Sequence, residues 1–374
     1  MRRWIALLLA VLLLGLAGCG NQNTGTTPGV SAPASGGTDQ TASASAGGRD
    51  FPTYLPMQKD RAPEAETVDE AAAEGPYTRD TLIWDVINDP SFEGFGRRLF
   101  PEYFDEPEQL GGRIRANWTL KQSYNLFFGY KHVNPDVIVE ELNYLKAQAD
   151  AGNTIFYDIY SDEEKAEDPM KEHTGLFFFR GEPGAKTAVV TPGGALHYVA
   201  AAQDAFPQAL DISKHGYNAF ALIYRPGTVS GCEDLARAVS WLHEHQQELE
   251  IDMTDYSLWG GGAGGRLAAW VGRYGTAQFG QAETPKGCVA VLQYTALYGA
   301  EVTDLPTYMN IGKRDTHAYP GNMTLRYNTL DAIGVDTEME LFENLYHGYN
   351  IGRGTEAEGW VDRAIAFWER HMAA

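Results

Sequence analysis

The chain has 374 residues and is strongly acidic, with 50 Asp and Glu against 29 Lys and Arg and a formal net charge of −21. That balance excludes electrostatic binding to nucleic acid or to an anionic membrane face and favours solubility. Beyond a low-complexity start, about 300 residues remain, enough for one large α/β domain or two small ones; the lack of a second linker favours one.

Residues 1–18 carry Arg2 and Arg3, then an apolar run from Trp4 to Leu14, then Leu16-Ala17-Gly18 before Cys19. A basic start, a short hydrophobic core and small residues describe a secretory signal, too short for a stable membrane span. The Leu16-Ala17-Gly18-Cys19 ending resembles a bacterial lipobox. It implies cleavage before Cys19, lipid on its sulfur, and an extracytoplasmic protein held to the lipid bilayer through that chain. Residues 19–75 are rich in Gly, Ser, Thr, Ala and Pro and read as a flexible tether.

Residues 76–153 form an N-terminal extension. Its first part, to Tyr130, is rich in aromatic residues without a legible element order, and these read as core more than as a ligand platform. A helix then follows: Asn134 is a natural N-cap, Pro135 occupies the first helical position, Ile138, Leu142, Leu145 and Ala149 line one face, and Gly152 stops it.

From Thr154 to the end of the chain, strands alternate with helices. Strands are predicted over 154–160, 175–180, 187–191 and 218–224, then a helix over about 233–247 with Leu235, Ala238, Val239 and Leu242 on one face. Further strands are predicted over 256–259, 289–294, 307–311 and 338–342. A last helix is expected from Thr355, with Glu358 completing a capping box and Trp360, Ile365 and Trp368 buried. This order indicates a mostly parallel eight-stranded sheet covered by helices on both faces.

Of three cysteines, Cys19 belongs to the lipid. Cys232 and Cys288 are expected at opposite ends of the sheet, roughly 17–20 Å apart and too far to bridge, hence two free buried thiols. The nine histidines show no ligand-like pairing with cysteines, so neither a metal nor another cofactor is expected.

The stretch Tyr256-Ser-Leu-Trp-Gly-Gly-Gly-Ala-Gly-Gly-Arg266 passes from a short strand through small residues into a helix. That is the frame of a nucleophile elbow, G-x-S-x-G, in which flanking glycines permit close backbone approach and a strained central residue lifts its hydroxyl above the sheet. Here Gly260-Gly261-Gly262-Ala263-Gly264 keeps the frame, but Gly262 stands at the serine position and presents no side chain.

With Thr191-Pro-Gly-Gly-Ala195, Ile223-Tyr-Arg-Pro226, Glu233-Asp-Leu-Ala-Arg237, Ile311-Gly-Lys-Arg-Asp315 and Leu345-Tyr-His-Gly348 in order around this elbow, residues 154–372 resemble the α/β-hydrolases. They are most similar to bacterial lipid-anchored esterases near the hormone-sensitive-lipase and feruloyl-esterase-like groups. The resemblance implies the α/β-hydrolase fold and ester hydrolysis by a nucleophile, a general base and an orienting acid. It assigns His347 as base and Asp315 as acid, in preference to Asp304, which precedes its strand. It places the oxyanion hole at Gly193, Gly194 and Ala195 with the N–H of Ala263. Ser257 lies inside its strand and Thr191 lacks a presenting turn, so neither is expected to replace the missing hydroxyl. As written, the protein is expected to be an inactive or strongly impaired carboxylesterase relative, a pseudoenzyme. The alternative is a surface-tethered protein that holds a small-molecule ester or acylated carbohydrate without turning it over, and a weaker third is hydrolysis by a water that His347 activates.

Overall fold

The computed structural model describes residues 75–101 and 114–373; the leader, Cys19 and most of the tether lie outside the described residues. Among the described residues, eight strands form one sheet: β1 (Phe156–Tyr157), β2 (Gly175–Phe179), β3 (Lys186–Thr191), β4 (Asn218–Ile223), β5 (Asp252–Gly261), β6 (Val289–Gln293), β7 (Thr307–Gly312) and β8 (Thr337–Phe342). Their spatial order is β1-β2-β4-β3-β5-β6-β7-β8. The pairs β1–β2 and β2–β4 are antiparallel, and all the others are parallel. The fully buried strands Leu176–Phe179, Ala188–Thr191 and Ala219–Leu222 are continuous apolar or β-branched runs, as a sheet covered on both faces requires.

The topology decides where a ligand can sit. The connection from β3 through α5 (Phe206–Lys214) to β4 moves one way along the sheet. Those from β4 through α6 (Thr228–His245) to β5, and from β5 through α7 (Gly262–Tyr274) to β6, move the other way. Right-handed crossovers running in opposite directions place α5 on one face and α6 and α7 on the other. The final helix α9 (Trp360–Glu369) packs against α5, and α8 (Pro320–Ala332) packs on β7 and β8. The reversal leaves a crevice outside the carboxyl ends of β3 and β5, the favoured ligand position in an open α/β sheet.

The helix α2 (Pro135–Asp150) forms as expected. The Asn134 side chain accepts from Asp136 N, Pro135 sits at the first position, and Ile138, Leu142 and Leu145 are fully buried. It also ties down the start of the described chain, because Asn143 accepts from Tyr77 N at 2.9 Å and donates to Tyr77 O at 3.0 Å.

Several element bounds differ from expectation, each for a local reason. β1 is only two residues long, because Asp158 accepts from Tyr160 N and Ser161 opens a capping box with Glu164 that starts α3 (Asp162–Glu167). α6 begins five residues early, after Gly227, whose φ of 122° turns the chain into it. The last helix does not start at Thr355. Thr355 Oγ1 accepts from Ala357 N, and Glu358 accepts from Gly354 N, so both expected caps hold a turn, and the helix opens after the left-handed Gly359. Cys232 and Cys288 are free, but Cys288 is half-buried, its thiol donating to Asp255 O at 3.0 Å.

Candidate active site

The glycine stretch is tighter than a turn. β5 runs to Gly261 and α7 begins at Gly262 with no intervening loop. This junction is possible only without side chains. A Cβ on Gly260 would strike the Gly264 backbone, one on Gly264 would strike Thr191 O, and one on Gly261 would strike the Asp204 carboxylate. Gly262 differs from them: its φ is +52°, the left-handed conformation, yet a Cβ there would meet nothing closer than 3.7 Å. Two atoms lie at that distance, Gly193 Cα and His347 Nε2.

His347 lies in the loop after β8, and Asp315 in the turn after β7. His347 Nδ1 stands 2.8 Å from Asp315 Oδ2. The carboxylate is oriented from its other side, where Oδ1 accepts from His317 N and Ala318 N, both at 2.8 Å. The two loops are stitched together by Lys313 N donating to Phe342 O and Arg314 N to Leu345 O. A Cβ on Gly312 would collide with Leu345 O, so glycine is needed for that approach. With a proton on Nδ1 directed at Asp315, Nε2 is left as an acceptor facing Gly262. Asp304, the rejected alternative, is buried between Arg273 (2.7 Å) and Arg326 (2.9 Å) away from this loop.

The loop after β3 carries Gly193, Gly194 and Ala195. Ala195 and Leu196 are both left-handed, with φ of 54° and 64°. One expected donor is already committed: Gly193 N donates to Asp204 Oδ2 at 2.8 Å. Gly193 therefore cannot supply an oxyanion N–H while that bond holds, and the donor set reduces to Gly194, Ala195 and Ala263. Neither hydroxyl near the elbow is presented to the crevice. Ser257 is fully buried and accepts from Trp259 Nε1 at 2.8 Å, and the Thr191 side chain is fully buried at the end of β3.

Three residues at the site were not singled out from the sequence. Asp204, at the end of the short helix α4 (Ala201–Asp204), is fully buried. Besides Gly193 N, it accepts from Tyr130 Oη at 2.9 Å and from Tyr294 Oη. Burial pushes its carboxyl up to about 6 despite those hydrogen bonds and the nearby His347. The rings of Tyr130 and Tyr294 pack on the His347 ring at 5.6 Å and 4.8 Å between centroids. The trace of this in the sequence is one acidic residue, beside Gln203, in the otherwise alanine-rich run Ala200–Phe206. The extension also buttresses the histidine loop directly, since Lys131 N donates to His347 O at 3.0 Å.

Chemically, the crevice holds a carboxylate-oriented imidazole, main-chain N–H groups at the start of a 13-residue helix, and open space at the Cβ position of Gly262. Among the described residues, no group of three His, Cys, Asp or Glu side chains could hold a metal ion.

Comparison with known proteins agrees with this architecture. Residues 181–322 match the BD-FAE family model. No curated protein matches the chain. Among solved structures, the chain is similar to the acetyl ester-xyloside bifunctional hydrolase from Caldicellulosiruptor lactoaceticus, at 18% identity and a TM-score of 0.50, over 57% of this chain and 95% of that one. A thermophilic esterase from the Planctomycetes species Thermogutta terrifontis aligns at 21% identity and a TM-score of 0.47, over 54% and 89%. At these identities the likeness is one of fold. The chain has the α/β-hydrolase fold, and residues 181–322 within it match the BD-FAE family model.

Proposed function

We propose that this crevice is a carboxylesterase site with its acid, base and oxyanion donors in place and its nucleophile missing, so that the protein holds an ester or acyl ligand with little or no turnover. One observation carries the reading: the Cβ position of Gly262 lies 3.7 Å from His347 Nε2, in a backbone conformation with φ +52°. A serine there would put its hydroxyl within hydrogen-bond reach of the imidazole, with Asp315 fixing the tautomer. The unusual φ is the one an elbow imposes on its central residue, and it persists here although glycine does not demand it.

His347 would serve as general base, Asp315 as its orienting acid, and the N–H groups of Gly194, Ala195 and Ala263 as oxyanion donors. Removing a nucleophilic serine from such a set costs about 10⁶ in turnover. The ligand class is a small-molecule ester or acylated carbohydrate. The leader and Cys19 support an extracytoplasmic protein tethered to the lipid bilayer.

Gly262→Ser tests the site. Turnover of a short-chain aryl ester should rise by at least about 10³-fold over the native protein and be lost again on adding His347→Ala. A folded Gly262→Ser protein that stays inert on short and long esters would overturn the esterase site and leave a binding protein without esterase machinery.

A further inference from the structure

A buried carboxylate lies directly beneath the crevice and takes no part in the acid–base pair. Asp204 is fully buried, and its two oxygens gather three donors from three separate parts of the chain. Gly193 N comes from the loop after β3, Tyr130 Oη from the extension, and Tyr294 Oη from the loop after β6. No single structural need of a four-residue helix calls for such an arrangement, and a buried charge is costly unless it is fully hydrogen-bonded.

The backbone around it is strained in the same places. Tyr294, a bulky residue, has a φ of 33°, and Ala195 and Leu196 follow one another in the left-handed region. Such conformations cost roughly 1–3 kcal/mol each and persist only where surrounding contacts hold them. Space is equally constrained: a Cβ on Gly193 would lie 2.7 Å from Asp204 Oδ2, and one on Gly261 would strike the same carboxylate. The carboxylate therefore touches both segments that form the crevice, the loop carrying Gly194 and Ala195 and the β5–α7 junction carrying Gly262.

We infer that Asp204 is a positioning residue that sets the oxyanion loop: by engaging Gly193 N it turns the next peptides so that the Gly194 and Ala195 N–H groups face the crevice, while its two tyrosines hold the His347 ring. This rests on the esterase reading for its catalytic consequence, but not for the loop geometry itself. The bond requires the carboxylate as an acceptor of all three donors. Gly193 N and Tyr130 Oη share Oδ2 whereas Tyr294 Oη meets Oδ1, so a proton on Oδ2 would set an O–H against two donors and release the loop. The groups facing Asp204 are Tyr130, Tyr294, Tyr224 and His347. Burial raises its pKa to about 6, and the Tyr294 hydrogen bond is the first of the contacts that lower it. Loop order should then fade as pH falls through about 6.

The loop is tested in the native Gly262 protein by following the Gly193 amide by NMR. It should titrate near pH 6, keep doing so in His347→Ala, where the imidazole is absent, and stop in Asp204→Asn. A Gly193 amide indifferent to Asp204→Asn overturns the inference. In the Gly262→Ser protein, Asp204→Asn should lower kcat about 10–100-fold while leaving KM within about threefold, a split that general destabilisation does not produce. If Asp204→Asn does not fold, Tyr294→Phe replaces it: losing that donor should move both the amide titration and the acid limb of kcat to higher pH. An unmoved titration counts against the inference. If Gly262→Ser is inert while the amide responds as expected, the esterase reading fails and the positioning role of Asp204 in the loop stands. If Gly262→Ser is active and Asp204→Asn leaves kcat and its pH profile unchanged, the reverse holds.

Discussion

At the scale of single residues, the proposed site turns on Gly262 and on one well-held imidazole. Gly262 keeps a conformation that glycine tolerates and serine would pay for, so Gly262→Ser should gain activity while losing stability, by roughly 1–3 kcal/mol. The other side of the gap depends on Asp315, whose Oδ1 is fixed by two backbone N–H groups and whose Oδ2 faces His347 Nδ1. In the Gly262→Ser protein, Asp315→Asn would present an amide N–H where an acceptor is needed and favour the wrong tautomer of His347. The expected result is a fall in kcat of about 10⁴-fold with little change in KM. A loss below about tenfold would place the orienting group elsewhere.

At the scale of elements, the helix α2 carries a polar residue its packing does not explain. Glu141 is fully buried, and its two carboxyl oxygens have no hydrogen-bond partner among the described residues. Burial holds its pKa well above the usual carboxylate range, the neighbouring Glu140 adds to this, and Arg353 opposes it. The folded protein therefore keeps the proton after the unfolded chain has lost it. Stability from this group is complete below the unfolded pKa, about 4.3, and is lost as pH rises from there toward the folded pKa. Glu141→Gln removes that loss. The variant should gain on the native protein between pH 4 and pH 7, read as a denaturant midpoint difference that widens with pH; a difference constant across that range would mean the carboxyl is ionised in the fold. The junction of β5 and α7 shows a second constraint of this kind, because backbone contacts require Gly260 and Gly264, the Asp204 carboxylate requires Gly261, and Gly262 has room for a side chain.

At the scale of the whole molecule, the extension is built into the hydrolase-like part of the chain. Within the extension Asn143 pairs with the Tyr77 backbone and Arg79 with Asp136, and outward from it Lys131 N donates to His347 O and Tyr130 Oη to Asp204. The segment just before α2 thus braces the crevice. A proposal at this scale concerns the start of the chain: with Cys19 as the mature N-terminus, mass spectrometry of membrane-extracted protein should find that residue lipid-modified. An unmodified N-terminus near Gly20 would remove the tether from the account.

Strand and helix periodicity, the small residues of the elbow and the positions of Asp315 and His347 after successive strands were all legible in the chain, because each depends on neighbours a few residues away. The same local signals misplaced the start of the last helix, since Thr355 and Glu358 are competent caps that the fold spends on a turn. Tertiary structure alone decided what surrounds Asp204. Its tyrosine partners lie 74 and 90 residues away, and the aromatic segment that supplies one of them has no period that would reveal its direction. It also decided that Gly193 N–H is occupied. A Pro-Gly-Gly turn announces close backbone approach, but which atom approaches depends on the side chain that the reversal of strand order brings beneath it.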